Sequence, residues 1–141
     1  MADELNIVGG SDPARRLMPS LEASARGMSL QQRFLEAIAR NLANAQTTRT
    51  PDGGAYQRQI AVAAGDAAGA GPAAEILQDE SPGRLVYDPG HPDADASGFV
   101  EYPNVDPETE LVNLMIVRRA YEANASVFQA AKAMLRRALE I

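Results

Sequence analysis

The sequence predicts a mainly α fold with a small β insert. Two long terminal helices in coiled-coil-like packing flank a small β-rich or irregular middle segment. Three observations predict it. Apolar residues recur at 3,4 spacing near both ends of the 141-residue chain. Residues 47–106 hold 8 of the 11 Gly and 6 of the 9 Pro. Charge divides along the same lines: −3 over residues 1–14, +4 over 15–50, −8 over 51–106 and +1 over 107–141.

Residues 1–19 show no helical seam and read as an extension expected to be flexible. They lack the basic start and apolar run of a secretory signal peptide. Residues 20–46 predict the first core helix. Leu21, Ser24, Met28, Gln31, Leu35, Ile38, Leu42 and Ala45 follow the 3,4 spacing, and Arg26, Arg33 and Arg40 line the other side. Pro19-Ser20 stands where a cap is expected. Residues 47–106 predict the middle segment, with Pro51-Asp52-Gly53-Gly54 as a turn. Candidate strands are 56–63, 74–78, 84–87 and 98–102, with residues 67–74 as a Gly-rich loop tip. Residues 107–141 predict the second core helix. Its seam runs Leu114, Val117, Tyr121, Asn124, Phe128, Ala131, Leu135, Ala138, and no Pro or Gly follows Pro107. Ser24, Gln31 and Asn124 are polar seam positions of the kind that fix register or partner.

Composition excludes several functions. The chain has no Cys and no Trp, and its net charge is −6. A disulfide framework, a thiol nucleophile and a broad basic nucleic-acid footprint are therefore out. Large apolar residues are scarce, as expected of a chain that completes its packing with other chains. Asp93-x-Asp95-x-Ser97-Gly98 matches the opening of a calcium loop, but Asn104 stands where a bidentate Glu is required. His91, the single histidine, has no triad or metal partner in the pattern. Asp79-Glu80 reads as a hydrated pair, and Gly9-Gly10 and Gly53-Gly54 fit no phosphate-binding loop. Catalytic, metal and cofactor residues are all read as none. The residues point to a structural or interaction protein assembling through its terminal helices. The helix residues Leu21, Met28, Gln31, Leu35, Ile38, Leu42, Asn44, Leu114, Val117, Tyr121, Asn124, Phe128 and Leu135 are the expected subunit interface.

Two stretches carry a resemblance. Asn41-Leu42-Ala43-Asn44-Ala45, followed by Thr47-Thr48-Arg49-Thr50-Pro51-Asp52-Gly53-Gly54-Ala55-Tyr56, resembles the N-terminal signature of flagellar axial proteins of the rod and hook family. Arg84-Leu85-Val86-Tyr87-Asp88-Pro89-Gly90-His91-Pro92-Asp93 is similar to a loop of its proximal rod members, as are Tyr102-Pro103-Asn104-Val105 and Arg119-Ala120-Tyr121-Glu122-Ala123-Asn124. Thr48, Pro51, Gly53, Gly54, Tyr56, Tyr87, Asp88, Pro89, His91 and Pro92 are the motif-loop residues.

The resemblance implies a non-enzymatic subunit of the basal-body proximal rod. It implies a tubular helical assembly that transmits torque and surrounds an export channel. It implies as partners other rod subunits and further copies of the chain, the membrane-embedded base ring, the surrounding periplasmic ring and the flagellar type III export apparatus. Nucleic acid and small-molecule substrates are not implied. The implied location is the rod, in the periplasm, reached without a cleaved signal peptide. Another flagellar axial subunit, or a calcium-binding interaction module through residues 93–104, is the alternative reading.

Overall fold

The computed structural model describes residues 13–65 and 73–140. Helix α1 spans Pro13–Ala43 and helix α2 spans Pro107–Leu139. Between them lie β1 (Gln59–Ala64), β2 (Ala73–Gln78), β3 (Arg84–Tyr87) and β4 (Phe99–Tyr102). The expected 67–74 loop tip lies almost wholly outside the described residues, as does most of the 1–19 extension.

Helix α1 begins at Pro13, not at the expected Ser20. Ser20 does not cap; its Oγ donates back to the Leu17 carbonyl at 2.9 Å inside the helix. Pro13 opens the helix instead, where its fixed φ suits the first turn and its missing N–H would be unpaired anyway. Pro19 is carried inside the helix. At the other end Asn44 closes α1, with its backbone N–H and its Nδ2 both donating to the Arg40 carbonyl, at 3.0 and 2.9 Å.

Helix α2 starts as the sequence signals demand. Asp106 is the N-cap, its carboxylate accepting from the Glu108 and Thr109 amides, and Pro107 follows it. The Thr109 hydroxyl also donates to Asp106. This hydrogen bond, more than any charge, holds the Asp106 carboxyl below its ordinary pKa.

The two helices pack against each other along their lengths. Two close approaches give their direction. Gly27 faces Asn124, and Asn41 Nδ2 donates to Glu110 Oε2 at 3.1 Å. Both pairs of numbers sum to 151, so the helices are antiparallel and the offset is constant. The same offset sets Pro13 opposite Ala138, so the whole of α1 has a partner along α2. A Cβ at position 27 would meet Asn124 Nδ2 at 2.7 Å. Glycine here leaves room for the Asn124 side-chain amide against α1, which would have to shift to admit a larger residue.

The strands form two antiparallel hairpins. One pairs Gln59 with Gln78 through to Ala64 with Ala73; the other pairs Arg84 with Tyr102 through to Tyr87 with Phe99. The β1–β2 hairpin leans on α1, whereas β3–β4 packs on neither helix. Three of the four strands fall within a residue or so of their expected limits. β1 starts later, because Tyr56 and Arg58 are drawn into side-chain contacts before pairing begins.

The interior is thin. Among the described residues the buried apolar ones are Ala37, Ile38, Val100 and Ala131, and Ser24, Asn41 and Glu110 are buried with them. No described helix is long and apolar enough to cross a membrane.

Candidate functional site

The seam forms where the spacing places it. Ile38 is buried, and Leu21, Met28, Gln31, Leu35 and Leu42 are half-buried on α1. Leu114, Val117, Asn124, Phe128 and Leu135 are half-buried on α2, while Tyr121 stands at the exposed margin. These side chains meet within one chain, along the antiparallel hairpin. Gln31 Oε1 is buried there without a hydrogen-bond partner.

Where α1 ends and α2 begins, a polar clasp replaces the apolar seam. Glu110 is 1% exposed. Its Oε1 accepts from Arg58 Nε at 2.6 Å and its Oε2 accepts from Asn41 Nδ2. Asn41 is equally buried. Its Oδ1 accepts from the Tyr56 hydroxyl at 3.0 Å and the Gln59 amide at 2.8 Å, while Nδ2 also donates to the Gln59 carbonyl at 2.8 Å. Asn41 thus pairs with the edge of β1 as a strand would. Asn104 extends the network: its Oδ1 accepts from the Arg58 amide at 2.8 Å, and its Nδ2 donates to the Asp79 and Ser81 carbonyls. Burial raises the Tyr56 hydroxyl pKa, with Arg40 opposing and Glu110 reinforcing, so it stays a neutral donor. The Ser81 hydroxyl and amide hold Asp79 below the ordinary carboxylate range.

The motif residues are mostly internal wiring. Thr48 Oγ1 donates to Asp93 at 2.8 Å and Arg49 reaches the same carboxylate at 3.4 Å. These contacts join the first motif stretch to the second, and the Thr48 bond is the main reason the Asp93 pKa falls. Gly53 and Gly54 take φ of 90° and 76°, so the Pro51 turn depends on them. His91 accepts the Asp93 amide on Nδ1 at 3.1 Å. Asn44 serves the helix end, as described. Pro51, Asp88, Pro89 and Pro92 are exposed turn residues. Tyr87 is exposed and meets Phe99 edge-to-face at 5.2 Å between ring centres.

The acidic residues of the calcium-loop alternative are engaged within the chain. Asp93 is turned to Thr48 and Arg49, and Asp95 accepts from the Ser97 and Phe99 amides. Among the described residues no group of three His, Asp or Glu converges on a metal site.

Two features escaped the sequence reading. The first is the Arg58–Glu110 pair. Its signal was present: Glu110 falls in seam register four residues before Leu114, an acid in an apolar series. The second is the outward face of α2. Val112, Met115, Ile116, Val127 and Met134 lie opposite the seam and are 50–71% exposed. Val112 stands one turn from Met115 and Ile116, and Val127 two turns from Met134, a sparser pattern that the stronger inner seam obscured. This exposed apolar strip, interrupted by Arg118, Arg119 and Glu122, is a candidate interaction surface. Helix α1 has no counterpart among its described side chains, where Met18 is the single exposed large apolar residue.

Comparison with known proteins agrees with this picture of an assembling subunit. The family described as "Flagellar basal body rod FlgEFG protein C-terminal" matches residues 96–141. The flagellar basal-body rod protein FlgC of Borreliella burgdorferi is 37% identical, over 89% of this chain and 97% of that protein. FlgC of Salmonella typhimurium is 36% identical, with the same coverage of 89% and 97%. FlgC of Bacillus subtilis is 36% identical, over 86% of this chain and 95% of its own length.

Proposed function

The chain belongs to the FlgC family of flagellar basal-body rod proteins, and on that premise we propose that it is a proximal rod subunit built into a tubular wall around the export channel. It is a structural protein of the basal-body rod, not an enzyme, and it assembles with other rod components.

The observation that carries the proposal is the doubly apolar character of α2. One face closes the hairpin within the subunit. The opposite face, from Val112 to Met134, is left open to neighbours. A head-to-tail contact between two different surfaces of like subunits, repeated without closing on itself, generates a helical tube. In this reading the seam residues hold each subunit's hairpin, and Gln31 and Asn124 fix its register. The 47–106 segment forms the outer layer, against the base ring or the surrounding periplasmic ring. The buried clasp ties that layer rigidly to the hairpin, so torque applied to one reaches the other. Passage through the flagellar type III export apparatus delivers the chain to the periplasm.

The test is a deletion strain, assayed for swimming and for basal-body assembly. The proposal expects assembly to halt before the distal rod and this sequence to restore it. Normal basal bodies in the deletion strain contradict it.

A further inference from the structure

Two exposed patches lie at opposite ends of the molecule and match in chemistry. The last turns of α2 expose Lys132, Arg136 and Arg137 together with Met134 and Leu139. Residues 127–140 contain three bases and one acid. At the other end the β3–β4 hairpin presents Leu85, Tyr87, Phe99 and Glu101 on one face. The register pairs Leu85 with Glu101 and Tyr87 with Phe99. Leu85 and Tyr87 are 67% and 65% exposed. Residues 84–102 contain four acids and one arginine, with Asp88 beside the exposed rings. An exposed aromatic pair flanked by carboxylates suits guanidinium and ammonium groups, through both ring faces and charge.

The patches cannot meet in one molecule. At ~1.5 Å per residue, Lys132 lies ~38 Å along α2 from Pro107. The β3–β4 hairpin is anchored near that start by Tyr102 and the Asp106 cap, and touches neither helix. We propose that the basic end of α2 in one copy of this chain docks on the exposed β3–β4 face of a second copy, as a head-to-tail contact. The contact deepens the rod reading and rests on it for its biological setting. It joins copy to copy, while the Val112–Met134 stripe is left for the other rod components. Because the two surfaces differ, the contact does not close at a dimer.

The full-length chain tests this by sedimentation velocity over a concentration series. Wild type is expected to grow past dimer, and to shrink as salt is raised. The triple variant Lys132→Glu/Arg136→Glu/Arg137→Glu loses its donor end. The double variant Leu85→Ser/Glu101→Lys loses its acceptor face. Each should stay monomeric, with association at least ~10-fold weaker, and circular dichroism should show unchanged helix content. An equal mixture of the two retains one complementary pair and should stop at heterodimer. A wild type that stays monomeric, or halts at dimer, overturns the contact; so does a mixture of folded variants that remains monomeric. Swimming separates the two claims. Wild type that self-associates but fails to rescue a deletion strain refutes the rod reading alone. Wild type that rescues swimming yet never self-associates refutes this contact alone.

Discussion

Helices α1 and α2 share one seam and differ on their outer faces. Outside, α1 is polar: Arg26, Arg33 and Arg40 are exposed, with Glu22 and Glu36 paired to the first two. Outside, α2 exposes Val112, Met115, Ile116, Val127 and Met134 among the charged Arg118, Arg119 and Glu122. A hairpin whose only task was to fold would be polar on both outer faces. The difference separates what stabilises the subunit from what joins subunits, and substitutions should sort accordingly.

The largest effect is expected at the clasp, which neither outer face touches. Arg58→Ala leaves the Glu110 carboxylate buried without its cation and should cost ~3–5 kcal/mol, read by urea unfolding. Replacing the pair together, as Arg58→Met with Glu110→Leu, should recover most of that loss. Next comes the seam. Gly27→Val pushes a side chain into Asn124 and should cost ~1–3 kcal/mol, seen as a lower melting temperature.

The outer faces then divide. On α2, Met115→Asp should change monomer stability by less than ~0.5 kcal/mol, because the residue is 71% exposed. It should nonetheless block rod incorporation. On α1, Arg33→Gln removes a solvent-exposed pair worth ~0–1 kcal/mol and should leave both stability and incorporation intact.

Acid should act on a third region. The carboxylates held below their ordinary pKa are Asp79, Asp93 and Asp106, in the middle segment and at the α2 cap. A depressed native pKa gives stability that is present above the unfolded value of 3.8 and lost as pH falls through the lower native values. Amide spectra below pH ~4 should therefore change first near Thr48, Ser81 and Thr109, ahead of the mid-helix seam. Simultaneous change along the whole hairpin contradicts that order.

Much of the fold was legible because its elements follow short-range rules. The 3,4 spacing placed both helices, Asp106-Pro107 has the form of a helix start, and Gly53-Gly54 marked a turn that needs positive φ. The inner seam of α2 was legible for the same reason. The start of α1 was misplaced because Pro19-Ser20 mimics a cap while the helix runs through it. The clasp was hidden because it is long-range: Asn41, Arg58, Asn104 and Glu110 come from four separate stretches. The outer stripe of α2 was hidden for another reason. Two apolar stripes on one helix overlap in sequence, and only the antiparallel partner shows which one is covered.

The most direct measurement compares Met115→Asp with Arg33→Gln in a deletion strain, by quantifying the subunit in purified basal bodies. Arg33→Gln should enter the rod at wild-type level, while Met115→Asp, equally folded as a monomer, should be absent from it. Wild-type incorporation of Met115→Asp would contradict the assignment of the outward α2 face to contacts between subunits.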